Sequence, residues 1–166
     1  MFEALPFAIF GSLLIIAAIS DVATMTIPNW ISIALACAFP LAALMAGLSW
    51  QTIAINLGFS LAILAIGFLL FQGGFMGGGD AKLIAAAAAW TGPVAFAPFA
   101  LATSLVGGVV ALVLLGARKI ARPAETRPAY LNRLLKPRGG VPFAVAIASG
   151  GIFVLNAGHI AAALTR

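Results

Sequence analysis

The chain has 166 residues, 63% hydrophobic and 8% charged, with a mean hydropathy of +1.16 and a formal net charge of +5. So few charges cannot solvate a surface, which excludes a soluble domain and points to a bilayer. A lone cysteine, Cys37, excludes an intramolecular disulfide, and no Cys/His cluster is present to hold zinc; within its apolar stretch Cys37 is expected to be a buried small hydrophobe.

The opening stretch MFEALPFAIFGSLLIIAAIS resembles a cleaved signal peptide in length and apolarity. It has no basic residue before its apolar core and carries Glu3, so it is read as a retained transmembrane helix entering from outside. A spanning helix needs about 20 mostly apolar residues, given a rise of about 1.5 Å per residue and about 30 Å of hydrocarbon. Segments at about 4–21, 28–46, 51–71, 80–92, 95–117 and 142–164 approach that length. The expectation is an all-α, polytopic integral membrane protein with about six transmembrane helices, its residues 1–166 forming a single membrane-embedded domain. The breaks fall at DVATMTIPN, AGLSW, QGGFMGGGD, TGP and a long basic stretch, and there are no internal repeats.

Orientation follows from that basic stretch. Seven of the nine Lys and Arg residues lie between Arg118 and Arg138, which marks about 118–140 as a cytoplasmic loop. Counting spans from it puts the Asp21–Asn29 and glycine-rich breaks inside, the 47–51 and 91–93 turns outside, and both termini outside. The loop reads as a solvated topology determinant drawn to anionic membrane lipids, each cation near the surface contributing about 1 kcal/mol. Its TRPAYLNRLLKP segment could also form a short amphipathic helix with Tyr130, Leu131, Leu134 and Leu135 toward lipid. No nucleic acid partner is expected, because the charge belongs to a loop beside spans and not to a folded patch.

Four acids are present: Glu3, Glu125, Asp21 and Asp80. Asp21 ends the first apolar run and Asp80 opens the fourth, so antiparallel threading brings both to the inner ends of their helices. An ionisable side chain at that depth is a functional candidate by default. Each also has a plain reading: Asp80 as the N-cap of AKLIAAAAAW, Asp21 as an interfacial acid at a helix end. The glycines before Asp80 exceed what a cap requires, and glycine permits positive φ and close approach of another chain. Two carboxyls sharing a site cannot both carry charge, so such a pair would hold one proton and could serve aspartic-protease chemistry.

Other chemistries are poorly served. His159, the single histidine, falls near the outer end of the last span, away from both aspartates, and reads as interfacial or packed; neither a Ser-His-Asp triad nor a metal site can be built with them. The glycines lack P-loop spacing, and no GxGxxG follows a strand.

MGGGDAKL, Met76 to Leu83, resembles the GxGD signature of membrane aspartyl proteases, in the form found in type IV prepilin peptidases. SDVATMTIPNW, Ser20 to Trp30, is similar to the stretch that supplies their first aspartate, and VPFAVAIASG, Val141 to Gly150, to the last span of small members serving tight-adherence (Flp-type) pili. The resemblance implies that Asp21 and Asp80 are the catalytic pair and that Gly77 and Gly79 shape the approach to Asp80. It places Lys82 near the site, with a snorkelling side chain as the alternative, and gives Pro28 and Asn29 the turn that starts the second span, with substrate contact as the lesser reading. It implies a leader peptidase of the bacterial inner membrane, its site toward the cytoplasm, with prepilins and pseudopilins as substrates and pilus assembly machinery as a partner. No cofactor is implied. The CxxC-bearing segment of the larger bifunctional enzymes is missing, so no N-methyltransferase activity is expected, and Ala144 stands where the Pro-Phe-Gly version of the motif has glycine. The rival readings are a small ion- or proton-coupled transporter with a broken helix and a structural subunit for which the acids are dispensable.

Overall fold

A computed structural model describes residues 4–121, 124, 126–137 and 139–158; Glu3, Glu125, Arg138, His159 and Arg166, with the readings attached to them, lie outside the described residues. The described chain is all-helical: α1 (Ala4–Thr24), α2 (Asn29–Met45), α3 (Trp50–Gln72), α4 (Gly78–Ile120), α5 (Ala129–Leu134) and α6 (Ala144–Asn156). Helices α1, α3 and α4 are long and apolar enough to cross a membrane, while α2 and α6 are apolar but shorter. Large apolar side chains stand on the outside, among them Leu61, Leu69, Leu101 and Leu112, a surface that lipid can cover and water cannot. The chain is a polytopic membrane protein.

Helix α4 hides a reversal. Its 43 residues would extend about 65 Å if straight, at about 1.5 Å per residue, twice a hydrocarbon core. The backbone is non-helical at Gly92, with φ 59° and ψ −178°, a left-sided φ that favours glycine, and Pro93 follows with no amide hydrogen to satisfy. Beyond this point the chain comes back: Ala81 and Thr103 line one cavity, as do Ile84 and Ala100. The arms 78–91 and 93–120 are therefore antiparallel, and the break read at TGP is a hairpin in which Thr91 and Gly92 are buried and Pro93 is exposed.

The first arm of α4 is the hub, and its alanines explain how. Ala85 to Ala89 are all buried, because a small side chain lets neighbouring backbones approach closely. Helix α3 runs antiparallel to this arm through such contacts: a Cβ at Gly67 would fall 3.0 Å from that of Ala81, Ser60 Oγ donates to the Ala85 carbonyl at 2.7 Å, and Asn56 packs over Gly92. Helix α6 lies between α1 and the second arm, with Gly150 against Thr103 and Gly151 against Leu14 and Phe10. Trp90 closes the core at the hairpin, its ring centroid 5.2 Å from Phe10 and 5.9 Å from Phe39. Its indole N–H donates to the Leu35 carbonyl at 2.9 Å, so that burial orphans no donor.

Two expectations fail at the residue level. Cys37 is exposed on the outer face of α2, because the core contacts of that helix are made by Ile31, Leu35, Phe39, Ala42 and Ala43. The amphipathic helix of the basic loop exists as α5, but Leu135 is only 5% exposed; it packs into the protein and not toward lipid.

Candidate active site

The α1 end of the site is a tight turn. Helix α1 stops where Met25 takes φ 57°, the left-handed conformation common after a helix, and its amide bonds to the Asp21 carbonyl at 2.7 Å. Ser20 Oγ donates to the Thr26 carbonyl at 3.1 Å, and Thr24 and Thr26 hydroxyls pair at 2.7 Å. Pro28, extended at ψ 135°, caps α2. This turn holds Asp21 inward at 6% exposure, with Oδ2 accepting from the Ala144 amide at 3.0 Å. Asp21 therefore caps α6, a helix that begins more than a hundred residues later.

Asp80 sits at the start of α4, but as its third residue and not its cap: Gly77 occupies the cap position, extended at ψ 142°. The Asp80 carboxylate folds back to accept the Gly77 amide, the return half of a capping box. Each carboxylate thus lies at the N-terminus of a helix, where free amides and the helix dipole favour negative charge.

The two meet. Asp21, Met25, Gly77 and Asp80 are shared by two adjoining cavities of about 490 Å³ and 300 Å³. The smaller is completed by Thr26, Ile27, Asn29, Gly78 and Gly79, the larger by Arg133, Lys136, Gly139, Gly140 and Val141. The glycines earlier singled out have separate reasons. A Cβ at Gly77 would fall 2.7 Å from Asp80 Oδ2, and one at Gly79 would fall 3.2 Å from Ile27 Cβ. Gly77 makes room for the carboxylate, and Gly79 lets the Met25–Pro28 turn pack against α4.

Lys82 is placed beside the acids' cavity and not within it. Its Nζ donates to Asn29 Oδ1 at 2.9 Å, and both residues line an apolar groove of about 520 Å³ between α2, α3 and α4. Asn29 also lines the smaller carboxylate cavity, so groove and cavity adjoin. Pro28 forms the turn and lines neither cavity. Among the described residues no group of three metal-ligating side chains occurs.

Reasoning from sequence missed Arg118, Arg133, Lys136, the Gly139–Gly140 pair and the Ala144 amide. PRGG, ahead of a predicted span, was a turn signal that could have been followed; nothing in the sequence points the loop at the aspartates. Arg133 Nη1 donates to the Ala23 carbonyl at 2.6 Å, a free carbonyl in the last turn of α1 where a cation is favoured. The VPFAVAIASG stretch also acquires a role: it delivers the Ala144 amide to Asp21 and sets the Phe143 ring on Gly107. Ala144 itself is fully buried.

At one end of an apolar helical bundle, then, two carboxylates face the same cavity. A family model described as the type IV leader peptidase family matches residues 8–112, and the chain belongs to that family. No curated protein and no solved structure matches it. The basic loop and α6 lie outside the matched residues.

Proposed function

We propose that this protein is an aspartic endopeptidase that removes the short basic leader from type IV prepilins, of the Flp or tight-adherence kind, at the cytoplasmic face of the bacterial inner membrane. One observation carries the reading: in a chain of the leader peptidase family, two aspartates remote in sequence face one cavity, each at a helix N-terminus. The pair shares one proton. The ionised carboxylate takes a proton from water as the water oxygen bonds to the scissile carbonyl carbon, and the protonated carboxyl donates to the carbonyl oxygen. The tetrahedral adduct then collapses, the C–N bond breaks and the amine leaves with a proton returned by the pair. The Ala144 and Gly77 amides hold the two carboxylates in register throughout.

A peptide bond within a helix is shielded by its own hydrogen bonds, so the junction between leader and apolar helix binds extended, beside the Gly77–Gly79 stretch. The apolar groove that adjoins the cavity at Asn29 suits the substrate's own helix. No methyl transfer accompanies cleavage.

The test is Asp21→Asn and, separately, Asp80→Asn, scored by the size of a co-expressed prepilin. Uncut prepilin from either change, with membrane insertion intact, is the expected result. Normal trimming by either variant would refute the assignment, and a transporter or structural subunit predicts no link between these residues and pilin size.

A further inference from the structure

The basic segment after α4 is built into the site. Arg118, in the last turn of α4, spreads its guanidinium across three backbone carbonyls: Nε to Leu134 at 2.8 Å, Nη1 to Gly139 at 2.9 Å and Nη2 to Gly140 at 2.6 Å. Three donors in a rigid planar fork suit this task, whereas a lysine offers one compact ammonium. The residues so held matter. Gly139, Gly140 and Val141 form a wall of the larger carboxylate cavity. The chain then passes through buried Pro142 to Ala144, whose amide donates to Asp21. At its other end the segment is pinned by Arg133 to the Ala23 carbonyl. Gly139 fits because a Cβ there would sit 3.0 Å from the Lys136 carbonyl and 3.3 Å from Arg118 Nη2.

We infer that Arg118 is a positioning residue for the carboxylate pair: it holds Leu134, Gly139 and Gly140, the last two in the wall of the cavity, and thereby sets the Ala144 amide on Asp21. This rests on the protease reading for its link to activity. It assigns the loop a role that a topology signal alone does not require. A topology signal needs only positive charge on the inner side, and any cation supplies that; a strut needs the geometry of the guanidinium.

Arg118→Lys separates the two, because it keeps the charge, and Lys119, Arg127, Arg133 and Lys136 remain beside it. The change, and Arg118→Gln in parallel, should lower kcat for prepilin cleavage about tenfold, as expected when reacting groups are misplaced by a fraction of an ångström, with insertion and abundance unchanged. A second readout needs no substrate. Gly140 Cα-side space reaches Met25, whose Cε would lie 3.6 Å from a Cβ there. In a Cys37→Ser background, Met25→Cys with Gly140→Cys should cross-link in membranes with a short bismaleimide, and Arg118→Lys should abolish the product. Full cleavage by the Arg118→Lys variant, or an undiminished cross-link, overturns the inference. If the unaltered chain cuts no prepilin, the protease reading fails by itself, and the cross-link still decides whether Arg118 holds the wall.

Discussion

At Gly77 and Gly78 the same residue type carries different burdens. A Cβ at Gly77 meets Asp80 Oδ2 at 2.7 Å, whereas one at Gly78 meets the ring of Phe71 at 3.3 Å, and that ring is 49% exposed and free to move. Gly77→Ala should therefore drive the Asp80 carboxylate from its place and slow prepilin cleavage about a hundredfold, the scale of a misplacement near 1 Å. Gly78→Ala should slow cleavage less, since its Cβ displaces only a movable ring and leaves the Asp80 carboxylate in place. Single-turnover cleavage of a purified prepilin in detergent compares the two. Equal rates would mean that the fold of Asp80 over Gly77 is irrelevant to the chemistry. The glycine cluster was conspicuous in the sequence; which glycine answers to which neighbour was not, because a Cβ clash depends on the rotamer of Asp80 and on side chains brought in by α3 and by the turn before α2.

At the scale of elements, the α4 hairpin joins a site residue to a structural need. Gly92 combines a positive φ with Asn56 Oδ1 2.8 Å from any added Cβ. Gly92→Ala should lower stability by about 1–3 kcal/mol from the backbone alone, with the Asn56 overlap added to it. Gly116, inside the second arm with nothing within 4 Å, is the opposite case, and Gly116→Ala should stabilise by up to about 1 kcal/mol. Thermal unfolding in one detergent orders the variants, and a Gly92→Ala protein as stable as its parent would refute the hairpin geometry. The spans were legible because apolar length is a local property. The turn at Gly92 was legible only as a break, since buried and exposed turns share the same residues and differ in what packs over them.

For the whole molecule, the end of α1, the start of the first arm of α4 and the end of its second arm, the starts of α2 and α6, and α5 gather on one side, where both aspartates lie. The proposed orientation puts that side in the cytoplasm. In the Cys37→Ser background, a cysteine replacing Ala124 should react with a membrane-impermeant maleimide only in inverted vesicles, and one replacing Ala46, in the turn between α2 and α3, only in right-side-out ones. The reverse pattern would move the site to the other face and remove a basic cytoplasmic leader as its substrate.

Sequence alone determined the solvent, the number of apolar segments and the level of the two acids, because these follow from side-chain polarity counted along a chain that must satisfy its own backbone in lipid. Tertiary structure decided the rest. That Asp21 caps α6, that Ile27 packs on Gly79, that Lys82 turns to Asn29 and that Arg118 binds the turn before Ala144 are contacts between segments well apart in the chain. Their energies depend on distances that only the packed bundle establishes, so no local pattern could carry them.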